Sequence, residues 1–388
     1  MRLSRKTCVQ DTRISKLPPT IVILVICLVF ADATSAAKKG RHDQELVAAI
    51  ASRGIDPSAV TVPHRLTDEM RQWVHTLAPS RLNRQQKLEH LLQGLFDPGQ
   101  LELEYVWGYT GTAVEVFEQH QANCLAFTYL FVGLARELGV PVHFLAVENV
   151  ESYRKAGDLV VVSDHVAVGH GHHRDLTVYD FSAQSQDRTP IGLRRISDLT
   201  AVAMFHSNRG AETLQQGDAK GATHWLETAV ALDPELANAW VNLGVARRRL
   251  GNAAGAEAAY KSALAAEPRT YSAYQNLASL LSVRGRSTEA RQYEKALRRS
   301  PARNPYTFLS LGDISLNSGR LTEARQFYRR AVSLDRDDAE SYAALGEAAA
   351  LAGDWRTARK MLRKAQKRDD DHHRTVRLAE RVETGRDS

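Results

Sequence analysis

The spacing of apolar residues changes three times along this chain. The first apolar run, Thr20–Ala31, is unbroken and short. Glu45–Arg53, Asp68–Ala78 and Asn83–Phe96 then carry apolar residues at helical spacing, and Asp97-Pro98-Gly99 stops the third. Another helical pattern begins at Cys124 and ends at Gly139, with Pro141 just beyond. After it the texture becomes β-rich. Val142–Val150, Leu159–Val168 and Leu176–Phe181 predict three strands. Gly169-His170-Gly171-His172-His173-Arg174-Asp175 predicts the hairpin loop between the last two. Residues 45–200 thus read as helices followed by an antiparallel sheet, an α+β domain.

Beyond residue 203 the pattern repeats every 34 residues. Ala222, Ala256, Ala290, Ala324 and Ala358 form one column, and Ala229, Ala263, Ala331 and Ala365 another. Leu226, Tyr260, Tyr328 and Leu362 fill a large apolar column, and Gly210, Gly244, Ala278, Gly312 and Gly346 a small one. Trp240-x2-Leu243-Gly244, then Ala256-x3-Tyr260-x2-Ala263 and Pro268, match the tetratricopeptide repeat. Five repeats are expected, starting near residues 203, 237, 271, 305 and 339. The third is irregular, because Tyr293 and Ala296 sit one residue early and Glu294 takes the large apolar position. Small residues let paired helices approach, and stacking buries a core that no single repeat can bury. Residues 371–388 read as a charged, solvated tail or capping helix.

Composition narrows the setting. The 388 residues suggest two or three domains, and 43% hydrophobic with 25% charged residues is a globular balance. The net charge of +6 is spread too widely to indicate nucleic acid. Arg247-Arg248-Arg249 reads as a solvated helix face. Residues 1–36 read as a secretory signal: a basic start, the Thr20–Ala31 run and the small-x-small triplet Ala31-Asp32-Ala33. An ordinary membrane span needs about 20 apolar residues. The expectation is an exported protein, periplasmic or extracellular, that meets a membrane only where this segment stays uncleaved.

Of the three cysteines, Cys8 and Cys27 fall in that segment, which leaves Cys124 without an intramolecular partner. Asn123 is a good N-cap, so Cys124 is expected in the first turn of its helix. Unpaired backbone N–H groups and the positive end of the macrodipole favour a reactive thiolate at such a place. The alternative is a buried, inert thiol. If His170 faces Asp175 across the predicted hairpin, His165 faces Asp180 on one face of the sheet. That is the pair a general base and its orienting carboxylate require.

Asn123-Cys124-Leu125-Ala126-Phe127, Asp164-His165-Val166-Ala167-Val168 and Tyr179-Asp180-Phe181 resemble the core of the transglutaminase-like (papain-like) family, over about residues 85–185. The overall fold expected is an α+β papain/transglutaminase-like domain (residues 37–200) followed by an all-α tetratricopeptide repeat solenoid (203–370). The resemblance implies Cys124 as nucleophile, His165 as general base and acid, and Asp180 as orienter. It implies acyl transfer or hydrolysis at an amide, with no cofactor. Gln121, Trp107 or Tyr109 would help hold the oxyanion. Two departures stand out: no Gly-x-Cys precedes the thiol, and no His-Ala-Trp follows the base. The competing expectation is a catalytically silent scaffold in a repeat-based interaction adaptor. His170, His172, His173 and Asp175 carry metal-ligand side chains, but a polar hairpin tip explains them better and no metal is expected. Asn208, Asn242 and Asn276 recur at 34 on the first helices of three repeats. They mark where a protein or peptide partner would bond in the groove; the plainer reading is a solvated or helix-pairing consensus residue.

Overall fold

The computed structural model describes residues 41–106, 108–148, 152–156, 159–163, 166–171, 175–181, 192–298 and 305–385. The signal segment, Trp107, His165, His172 and His173 lie outside the described residues. Contacts divide the chain into two units. One holds the chain up to Glu151 together with Asp164–Phe205, and the other holds Ser152–Ser163 and everything from His206.

The first unit begins with helices α1 (Arg41–Ser52), α2 (Asp68–Leu77), α3 (Arg84–Phe96), α4 (Ala113–Gln119) and α5 (Cys124–Glu137). Local signals start them. Thr67 caps α2, and Asn83 and Thr112 open α3 and α4 with complete capping boxes. Two short parallel strands, β1 (Glu104–Tyr105) and β2 (Gln121–Ala122), precede α5. The main sheet has four strands: β3 (Val142–Glu148), β6 (Val166–His170), β7 (Thr177–Tyr179) and β8 (Gly192–Arg195). Their order is β7-β6-β3-β8, and every pair is antiparallel. Helices followed by an antiparallel sheet are what the sequence predicts for this part.

α5 is apolar nearly all round, and its residues from Leu125 to Ala135 are buried. A helix of that kind belongs in a core. Phe131 meets Tyr179 and Phe181, while Phe127 meets Phe96 and Phe181. On the neighbouring turn Tyr129 packs on Phe144, and its hydroxyl donates to the Ala201 carbonyl at 2.7 Å. Arg136, in the last turn of α5, donates Nη2 to Asp198 Oδ1 at 2.9 Å. That pair holds the Asp198 carboxyl below the usual carboxylate range against the opposing effect of burial.

His64 is buried against Phe144, and its Nδ1 has no hydrogen-bond partner. Burial pushes its pKa down to about 4. An unfolded histidine takes up its proton near pH 6.5, so below that pH protons favour the unfolded chain. The stability that depends on neutral His64 is complete above about pH 6.5 and falls until about pH 4. By pH 5 the loss is about 2 kcal/mol. Urea midpoints measured at pH 7 and pH 5 are expected to show this drop, and His64→Phe is expected to remove most of it. A pH dependence unchanged in His64→Phe contradicts the assignment.

The strand pattern departs from expectation in three places. Leu159–Val168 is not one strand. Its first half is β5 (Leu159–Ser163), which pairs with β4 (Ser152–Ala156) in a separate hairpin, and its second half is β6. A run rich in valine satisfies two short strands as well as one long one, so composition does not show the break. β8 was not expected at all. Gly-Leu-Arg-Arg has no strand composition, and pairing with β3 supplies the order that propensity lacks. The β6–β7 register also differs from the predicted one, as described below.

The second unit contains the β4–β5 hairpin, with β5 lying along α8 and α10, and an all-α stack. The stack is built of α6 (Asp198–Gln215, which crosses the unit boundary) with α7 (Ala219–Leu232), α8 (Ala237–Arg249) with α9 (Ala253–Ala266), α10 (Tyr271–Val283) with α11 (Ser287–Arg298), α12 (Pro305–Asn317) with α13 (Leu321–Leu334), and α14 (Ala339–Leu351) with α15 (Trp355–Gln366). These are the five predicted pairs. Of the two readings of residues 371–388, a tail or a capping helix, the structure shows a helix. α16 (His373–Thr384) packs on α14 and α15 and buries Arg374, Thr375, Leu378 and Val382.

Candidate functional site

Cys124 occupies the first turn of α5, as predicted. Asn123 is extended (φ −85°, ψ 178°), and its side chain accepts from the Ala126 N–H at 2.9 Å. The other end of the same amide donates to Thr110 Oγ1 at 2.8 Å. The Asn123 N–H donates to the Tyr109 carbonyl at 3.3 Å. The segment before α4 therefore braces the start of α5. Cys124 is a free, half-buried thiol. Tyr109 is half-buried and Gln121 exposed.

One side chain ties this helix start to the sheet. The Thr128 hydroxyl lies 2.9 Å from the Cys124 carbonyl and 3.3 Å from the Val166 carbonyl. Thr128 sits one helical turn after Cys124, so its hydroxyl reaches back to an i−4 carbonyl. The strand it touches is the one that follows His165 in sequence.

The predicted hairpin register is off by two residues. His170 pairs with Thr177, Gly169 with Val178 and Val168 with Tyr179. Two geometric demands account for the shift. Gly171 turns at φ +88°, and a Cβ there would lie 2.3 Å from the Asp175 carbonyl. His170 brings its Nδ1 2.9 Å from the Pro141 carbonyl, an anchor to the residue just before β3. A shift of two preserves face. Carried one residue beyond β7, the register sets Asp180 opposite Ala167. Asp180 is buried, between Tyr179 and Phe181, whose rings both pack on α5. Alternation along an extended chain then turns the Asp180 side chain to the other face of the sheet.

In the second unit a cavity of about 410 Å³ is lined by first helices and α16, including Gln275, Asn276, Ser310, Asp313, Glu347 and Arg374. Asn276 is 2% exposed, and its Nδ2 has no hydrogen-bond partner. Asn242, at the same position on α8, is fully buried, and neither polar side-chain atom is paired. Asn208 on α6 is half-buried. Asn242 and Asn276 thus hold buried side-chain amide groups without a hydrogen-bond partner.

Sequence reasoning missed Arg374. It enters the cavity from α16, donating Nη2 to Asp313 at 2.7 Å and Nε to Glu347 at 2.7 Å. Nothing in the 34-residue columns marks it, because α16 lies outside them. Glu340, His372 and His373 bring ligand-type atoms within 4.8 Å of one another. The Arg374 guanidinium stands 3.7 Å from Glu340, and the positive end of α16 adjoins it, so cationic charge already fills that corner.

Comparison with known proteins agrees with the helix pairs. Residues 213–281 match the tetratricopeptide repeat family, and residues 312–353 match the TPR repeat family. Neither match reaches the α+β part, and no curated protein matches the chain. Among solved structures, PilF of Pseudomonas aeruginosa is 22% identical over 48% of this chain and 86% of its own, with a TM-score of 0.38. A thermophilic TPR protein of Thermus thermophilus is 21% identical over 48% of this chain and all 100% of its own, with a TM-score of 0.42. PilW, a type IV pilus biogenesis factor, is 20% identical over 48% and 86%, also at 0.42. The C-terminal half is an all-α solenoid of tetratricopeptide repeats.

Proposed function

We propose that this protein is an interaction module whose repeat groove holds an extended segment of a protein partner. The observation that carries the reading is the Asn276 amide, buried at the wall of a cavity of about 410 Å³ with an unpaired donor. A buried donor without an acceptor costs about 1–3 kcal/mol, and the backbone carbonyl of an extended peptide satisfies it. Asn242 carries the same unpaired group at the equivalent position one repeat earlier, fully buried and outside the lining of that cavity, so a bound segment would have to open access to it. Asn208 continues the series. Peptides enriched by display selection against the full chain test this. Asn276→Leu is expected to weaken them by about 5- to 100-fold, since about 1–3 kcal/mol is in question, while leaving the free protein equally stable or more so. No enriched peptide, or unchanged affinity in Asn276→Leu and Asn242→Leu, overturns the proposal.

A second reading rests on the Thr128 bridge. It supports a thiol enzyme in which Cys124 attacks an amide carbonyl and His165 moves the proton. Asp180, turned to the face away from α5, does not share the Cys124 side of the sheet as an orienting carboxylate would need to. Iodoacetamide labelling of Cys124 across pH decides it. An enzyme-type thiol labels well below pH 8.5, the range of an ordinary cysteine, and loses that advantage in His165→Ala. Labelling that rises only near pH 8.5 and ignores His165→Ala leaves the scaffold reading alone.

A further inference from the structure

The earlier outer helices, α7, α9, α11 and α13, each set glutamate among their cations, and several of the cations are paired. Arg286 bonds Glu257 and Glu289, Arg298 bonds Glu323, Arg320 bonds Glu294, and Arg325 bonds Asp354. α15 breaks that habit. From Trp355 to Arg368 the sequence has seven Lys and Arg residues and no Asp or Glu. Arg356, Lys360, Arg363, Lys364 and Lys367 are exposed, spaced so that they share one side of the helix. They form a stripe about 16 Å long. Among the described residues, Arg356, Lys360, Arg363 and Lys367 have no carboxylate partner. The exposed acids Asp369, Asp370 and Asp371 follow at one end only.

The opposite side of α15 is already occupied. Ala358, Met361 and Ala365 are buried in the core of the last repeats, so α15 has no apolar side left to insert anywhere. What it presents is cationic charge, and none of its residues is among those that line the cavity, which the first helices and α16 line. No exposed aromatic interrupts the stripe to stack on bases. An outer helix facing a DNA rod meets it along a narrow line, whereas a bilayer presents a plane whose charged headgroups diffuse towards the patch.

We propose that the cationic stripe of α15 docks the protein on anionic phospholipid headgroups. This surface is separate from the repeat groove. The test is co-sedimentation of the full chain with vesicles of phosphatidylcholine alone and of phosphatidylcholine mixed with phosphatidylglycerol. Binding is expected only to the mixed vesicles, and it weakens as salt rises. The triple variant Lys360→Gln, Arg363→Gln, Lys367→Gln is expected to lower affinity on the order of 100-fold. A control, Arg291→Gln, Lys295→Gln, Arg329→Gln, removes the same charge from exposed sites on α11 and α13, and less than about tenfold loss is expected there. Failure to bind the mixed vesicles overturns the proposal. So do equal binding to neutral vesicles, equal loss in the control variant, or tighter binding to a DNA duplex at the same salt.

Discussion

Arg374→Ala is expected to destabilise the C-terminal repeats by about 3 kcal/mol, the largest single-charge effect in the solenoid. The Arg374 side chain is 6% exposed, with Glu340 at 5% and Glu347 at 13%. Its guanidinium also lies 5.4 Å from the centre of the Tyr328 ring, and Nη2 stands 3.2 Å from the Tyr328 hydroxyl. Removing one partner of a buried ion pair leaves the others charged and unpaired, which typically costs about 3–5 kcal/mol. The lower figure applies because Asp313 is 32% exposed and water reaches it. Arg374→Lys keeps the charge but cannot hold Asp313 and Glu347 through one planar fork, so an intermediate loss is expected. Urea unfolding measures the loss, and limited proteolysis within α16 locates it. An Arg374→Ala protein with the wild-type urea midpoint contradicts the idea that this residue fastens α16 to the stack.

That network also marks where the sequence stops being informative. The 34-residue columns placed the starts of α8, α10, α12 and α14 at residues 237, 271, 305 and 339, because repeats contact mainly their neighbours and each column is a local packing rule. Charge pairing obeys no column. Glu294 breaks the large apolar position of the third repeat, yet it is 3% exposed. Arg320, from the next repeat, pairs with it at 2.9 Å. Only the folded chain brings the two together. The same holds in the α+β part. The N-cap of Cys124 was legible because Asn123 acts within three residues. The register of β6 and β7 was not, because it depends on Gly171 at φ +88° and on the reach of His170 to Pro141, which precedes β3. Residues that act at long range, such as Thr128 and His64, carry no local signal at all.

Tyr260→Ala is expected to cost about 3–5 kcal/mol, the usual penalty for emptying a fully buried aromatic site. Tyr260 is 0% exposed in the cluster that joins the second repeat to its neighbours. The space it fills exists because residue 244 is glycine: a Cβ there would lie 2.3 Å from the ring. Gly312 and Tyr328 repeat the arrangement two repeats later, with the same 2.3 Å approach. Gly244→Ala is therefore expected to destabilise by about 1–3 kcal/mol despite the better helix propensity of alanine, since overpacking outweighs the roughly 1 kcal/mol of propensity. The two tyrosines part company at their hydroxyls. That of Tyr260 is buried without a partner, whereas that of Tyr328 donates to Asp313 at 2.7 Å. Tyr260→Phe removes an unsatisfied polar atom and is expected to be neutral or stabilising by up to about 1 kcal/mol. Tyr328→Phe loses a hydrogen bond to a charged group and is expected to cost about 1.5–3 kcal/mol. Chemical denaturation of the two variants side by side checks the contrast. Equal effects from both substitutions would mean that packing alone, and not the charge network around Arg374, sets the worth of that column.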